Sequence, residues 1–116
     1  MLASSREWQV GPLRSLGLYI LDGHEPVACI NTHAWGEFMQ VNDRRVALTE
    51  WKDVRVSTVF LGLDHSFGMG PPILFETMVF GGPFDQERDR YVTWDEAEAG
   101  HAAMVKRVKA ALGLAA

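Results

Sequence analysis

Apolar and polar positions alternate between two periods along this chain, and that alternation divides it into elements. The run Leu16-Gly17-Leu18-Tyr19-Ile20-Leu21 is short, apolar and halted by Asp22-Gly23, which predicts a strand followed by a turn. His24-Glu25-Pro26-Val27 continues extended, because a residue that precedes proline avoids the helical region. From Asn31 and Thr32, both good N-cap residues, the spacing of Trp35, Phe38, Met39, Asn42 and Val46 is helical. Glu37, Gln40, Arg44 and Arg45 fall on the opposite side, so a first helix is predicted over about 32–48, weakened by Gly36. Residues 53–63 alternate at first, with Val54, Val56 and Thr58 opposed to Arg55 and Ser57, and then become apolar on both sides. This is a strand that starts half-exposed and ends buried. Residues 73–80 form another strand, and the short connection from Asp64 to Pro72 requires the two to pair antiparallel.

Gly81-Gly82-Pro83 ends that strand, and residues 85–90 (DQERDR) read as a solvated loop. Thr93 and Glu96 have the spacing of a capping box that opens a last helix. Asp95, Glu96 and Glu98 match the positive end of its dipole, Lys106, Arg107 and Lys109 match the negative end, and Gly113 closes it. The predicted order, β-α-β-β-α, is an α+β domain: a small antiparallel sheet of three to four strands with two helices packed on one face. Residues 1–15 have no clear period and are assigned to an N-terminal arm ahead of a single domain over 16–113.

Composition narrows the function. With 116 residues the chain makes one domain with a real core. Eleven Lys and Arg against fifteen Asp and Glu give a formal net charge of −4. That balance argues against direct nucleic-acid binding, which needs a basic stripe, and suits docking onto a basic surface. One cysteine, Cys29, permits neither an intramolecular disulfide nor a paired-cysteine zinc site, and it is expected to be buried. The chain has no apolar run near the ~20 residues that span a bilayer and no secretory signal pattern, so a cytoplasmic protein with no membrane association is expected.

The candidate chemistry is sparse. Asp64 and His65 stand at the end of a buried strand beside a glycine-rich loop, where a ligand can be held. Adjacent residues on a strand point to opposite faces, however, and Asp64 reads more simply as a turn cap that binds loop amides. Asp22, His24 and His65 offer mixed nitrogen and oxygen donors, but Asp-Gly is a common turn pair and no HxH or HExxH spacing occurs. Glu76 interrupts an apolar strand. It reads either as a catalytic acid or as one half of a cross-strand ion pair, with Arg55, His65 or His101 as the other half. His101 falls on the apolar stripe of the last helix as an interior histidine, and Gly100 beside it implies a close neighbour. The Gly68-Met69-Gly70-Pro71-Pro72 loop leads into a strand rather than a helix, so it is no phosphate cradle. No cofactor is implied. Aromatic residues at element ends are the usual anchors of protein interfaces, which points to Trp51, Phe67 and Phe84, with Asp85 and Glu87 alongside.

The segments Leu18–Val27, Asp53–His65, Gly70–Pro72, Phe75–Gly82 and Thr93–His101 together resemble an uncharacterised group of small bacteriophage and prophage proteins. The first helix, Asn31–Leu48, departs most from it. The resemblance implies phage association and assigns no catalytic residue. The leading expectation is a non-enzymatic accessory protein that binds a host or phage macromolecule, for instance an inhibitor of a bacterial defence system such as CRISPR. A protein partner is expected and a homodimer is left open. One alternative is a small metal-dependent hydrolase or nucleotide-processing enzyme using Asp22, His24, Asp64, His65 and Glu76. A second is a virion assembly component.

Overall fold

The computed structural model describes residues 17–114. The fold is α+β, with two helices and two antiparallel sheets. A hairpin of β1 (Tyr19–Asp22) and β2 (Glu25–Ala28) comes first, turning at Gly23, whose φ of 64° suits a residue without a Cβ. Helix α1 (Thr32–Val41) follows, with the Asn31 side chain accepting from the Ala34 amide as N-cap. Then β3 (Arg45–Trp51), β4 (Val54–Phe60), β5 (Phe75–Phe80) and β6 (Arg88–Tyr91) form a four-stranded meander, in that spatial order. Helix α2 (Trp94–Ala111) packs against all four strands.

One face of the sheet is the core. Along β4, Val54, Val56, Thr58 and Phe60 are buried; along β5, Phe75, Thr77 and Val79 are. Register pairs Phe60 with Phe75, Thr58 with Thr77 and Val56 with Val79, so the buried positions share a face. Helix α2 answers with Ala97, His101, Met104 and Val108, spaced four, three and four apart, which puts them on one stripe. The opposite face carries Glu50, Arg55, Glu76, Met78, Phe80, Arg88 and Arg90. The capping box of Thr93 and Glu96 is present as predicted. At the other end the Leu114 amide reaches the Lys109 carbonyl and the Gly113 amide reaches Ala110, with Gly113 at φ 75°. These bonds satisfy carbonyls that the helix end would otherwise leave open.

Two expected boundaries are wrong. The predicted first helix over 32–48 ends at Val41, and Arg45–Trp51 is strand β3. Asn42 caps the helix in extended geometry, Asp43 accepts from the Arg45 amide, and the chain turns into the sheet. Val46 fits a helical count by coincidence. It sits in a bulge where the register shifts between Arg45 and Ala47, and it packs into the core beside Phe60. The segment read as a solvated loop also contains a strand, β6, pinned to β5 from Phe75–Tyr91 to Met78–Arg88. The N-terminal arm over 1–15, and Leu16 of the first predicted strand, lie outside the described residues. Helix α1 buries no residue fully; it is held through the Phe38–Phe60 ring contact and a bond from Trp35 Nε1 to the Gly62 carbonyl at 3.0 Å.

Candidate functional site

A hydrogen-bonded layer crosses the core and separates two apolar clusters. One cluster holds Tyr19, Phe60, Leu74, Phe75 and Ala97; the other holds Val54, Val56, Val79, Met104 and Val108. Between them each of the four strands supplies a hydroxyl and α2 supplies His101. His101 Nε2 lies 2.9 Å from Thr49 Oγ1 and Nδ1 lies 2.7 Å from Thr58 Oγ1. Thr58 and Thr77 are joined at 2.5 Å, and the Tyr91 hydroxyl donates to Thr77 at 3.1 Å. With the proton on Nε2, one direction of donation satisfies every bond: Tyr91 to Thr77, Thr77 to Thr58, Thr58 to Nδ1, and Nε2–H to Thr49. Burial lowers the pKa of His101 from its ordinary value, because a charged ring would be desolvated. Burial likewise raises that of Tyr91. Gly100 is the close neighbour expected beside His101: a Cβ there would overlap the Tyr91 ring. This histidine is a buried structural residue with both ring nitrogens occupied.

The other sequence-predicted residues are dispersed. Asp64 Oδ1 accepts from the Ser66 amide at 2.7 Å and the Ile73 amide at 3.0 Å, so it ties together the base of the loop. His65 Nδ1 lies 2.8 Å from the Leu63 carbonyl. Glu76 does not meet Arg55, His65 or His101. Register places it opposite Arg90, which donates at 2.9 Å, with Arg88 at 3.9 Å, whereas Arg55 sits over the Phe80 ring at 4.8 Å. Among the described residues no three His, Cys, Asp or Glu side chains lie together as metal ligands. No such metal-ligand grouping forms from Asp22, His24, Asp64, His65 and Glu76, although Asp22 and His24 line one cleft. Cys29 is buried, with its thiol against the Asn31 carbonyl.

Four of the expected partner-binding residues have work inside the molecule. Phe84 is half-buried against the Val54 cluster beneath the Arg107 guanidinium at 4.9 Å. Asp85 accepts from the Gly81 amide, and Glu87 pairs with Arg107 at 2.9 Å. Trp51 is half-buried against the same cluster.

Phe67 is different. It is 88% exposed and Met69 two residues later is 81% exposed, at the tip of the loop between β4 and β5. The loop is braced from beneath. Asp64 clamps its two sides, the His65 amide bonds to the Ile73 carbonyl, and Pro72 is buried. Phe67 takes φ 56°, a left-handed conformation that costs a residue with a Cβ roughly 1–2 kcal/mol. Its backbone conformation closes a turn in which the Met69 amide bonds to the Ser66 carbonyl, while its side chain faces solvent.

Pro72 also lines a cleft of about 430 Å³ between the β1–β2 turn and the start of α2. His24 stacks face to face on Trp94 there, with ring centroids 3.7 Å apart; Asp22, Glu25 and Asp95 line the cleft, and no lysine or arginine does so among the described residues. The acidic cleft thus lies between the hairpin turn and the base of the loop that carries Phe67. Among the described residues no helix is long and apolar enough to cross a membrane. Comparison with family models, with curated proteins and with solved structures finds no match to this chain.

Proposed function

We propose that this chain is a non-enzymatic binding protein that engages a protein of a phage or its host through the end of the molecule carrying Phe67 and Met69. The observation that carries the reading is the outward projection of Phe67 from a braced loop in a strained backbone conformation. Backbone strain is commonest where function maintains it. An aromatic residue presented on a rigid base is the usual form of an interface anchor, because little ordering remains to be done on binding. The acidic cleft at the base of the same loop, with Asp22, Glu25 and Asp95, suits a partner with a basic surface. The resemblance to small phage proteins supports a partner from the bacterial cell or the phage, a CRISPR-type defence complex being the concrete instance.

The test is a photo-crosslinking residue placed at position 67 in the full chain, in phage-infected cells. One dominant protein adduct is expected, weakened about tenfold or more by Met69→Ser, since burying a large apolar side chain contributes roughly 1.5–3 kcal/mol. Adducts no different from those formed at exposed Gln40 on α1 would overturn the proposal, as would association with lipid vesicles in place of a protein.

A further inference from the structure

Among the described residues the four-stranded sheet has two unpaired edges, and they are built in opposite ways. Edge β6 is four residues long, and Arg88, Asp89 and Arg90 are all exposed. A short, charged edge resists pairing with another chain. Edge β3 is seven residues long, and from Val46 to Thr49 its side chains are half-buried and uncharged. Among the described residues β3 pairs only with β4, so half of its backbone amides and carbonyls face outward. The bulge at Arg45/Ala47 and the turn at Lys52–Asp53 bound a regular window, Ala47–Trp51, which is centred on Thr49.

We infer that β3 is a homodimer interface, in which the window Ala47–Trp51 pairs antiparallel with the same window of a second copy about a two-fold axis at Thr49. Every opposed pair in that register is compatible. Thr49 meets Thr49, a favourable pairing of two β-branched hydroxyl residues. Ala47 lies opposite Trp51, so the small residue receives the large one. Leu48 lies opposite Glu50, which keeps the two Glu50 carboxylates apart, and the flanks bring Arg45 of one copy towards Asp53 of the other. A two-fold axis at Glu50 would instead set like charges face to face. The two sheets then join into one continuous eight-stranded sheet. Because the interface is isologous and uses only this edge, the assembly closes at two copies, with the charged β6 edges at its ends.

Sedimentation of the full chain over a concentration series tests this. A reversible dimer is expected for the natural sequence. Leu48→Glu sets a carboxylate opposite Glu50, twice by symmetry, and is expected to weaken association roughly tenfold. Adding Glu50→Lys to that variant is expected to restore it. Amide hydrogen exchange of the unsubstituted chain supplies a readout independent of any variant's folding: protection over 47–51 should rise with concentration while that of β6 does not. A monomer at all concentrations up to about 200 μM, well above most specific dimer constants, would overturn the inference. So would a dimer indifferent to Leu48→Glu, or one that protects a different segment.

Discussion

In the middle of α2 an ionisable side chain is buried and fully bonded; at the tip of the loop between β4 and β5 an aromatic side chain is exposed and held in a strained conformation. His101 is 7% exposed and Phe67 is 88% exposed. The two regions reverse the usual assignment of polar outside and apolar inside, and they do so for different reasons. The His101 layer joins four strands and a helix, so the fold depends on it. The Phe67 side chain is held out by the fold and buries almost nothing against it. The apolar stripe of the last helix marks His101 as an interior histidine, and the glycine-rich loop marks Phe67 as an outward anchor; the structure buries the first and exposes the second. Stability measurements on the two regions should separate in the same way.

The largest effect is expected at His101. His101→Ala leaves a cavity and strands the Thr49 and Thr58 hydroxyls, which should cost about 3 kcal/mol in urea unfolding. A loss below about 1 kcal/mol would mean that the layer is incidental. The comparison sharpens if the whole layer is replaced. His101→Leu together with Thr58→Val and Thr77→Val removes donors and acceptors at once, and it should be far less damaging than the single change. Gly100→Ala comes next. The overlap with the Tyr91 ring costs about 1–3 kcal/mol, partly offset by about 1 kcal/mol of helix propensity, for a net loss of about 1 kcal/mol.

Acid acts on the same region. The folded-state pKa of His101 lies below its ordinary value of 6.5, because burial disfavours the charged ring. As pH falls below about 6.5 the unfolded chain takes up a proton that the folded chain refuses, so stability falls, and it goes on falling until the folded-state pKa is passed. Above pH 6.5 this contribution is fully present. The urea midpoint of the unsubstituted chain should therefore drop between pH 7.5 and pH 5 by more than that of His101→Gln, which keeps a polar side chain but cannot titrate. Equal drops would show that other groups carry the pH dependence.

How far the sequence disclosed these regions depends on where the controlling contacts lie. Helix α2 was legible to its caps, because Thr93, Glu96 and Gly113 act within a few residues of the ends they fix. The β4–β5 hairpin was legible because its period-two pattern persists through Val54, Val56, Thr58 and Phe60. Strands β3 and β6 were not. Val46 lies in a bulge, which breaks the alternation that marks a strand, and Arg88-Asp89-Arg90 has no apolar alternation at all. What makes β6 a strand is its partner, through Glu76 with Arg90 and the ladder from Phe75 to Met78. Missing β6 also hid the true partner of Glu76, since Arg90 had been placed in a loop. At the candidate site, the clamp by Asp64 and the exposure of Phe67 could be read from local sequence. The uses found for Phe84 and Glu87 could not, because both are made through Arg107, twenty or more positions away on α2.

The smallest effect on stability is expected at Phe67, and its sign is the most informative. Phe67→Asn removes almost no buried area. It exchanges a residue penalised at φ 56° for one that tolerates the left-handed region, without the added unfolded-state freedom of glycine. The variant should be as stable as the natural sequence or more stable, by up to about 1 kcal/mol. It should at the same time lose the partner that crosslinks through position 67. That combination, stability retained or gained and binding lost, is the mark of a residue maintained for an external contact. A clear loss of stability in Phe67→Asn would show instead that the tip supports the fold. The contrast between the two regions would then collapse, because both would be structural.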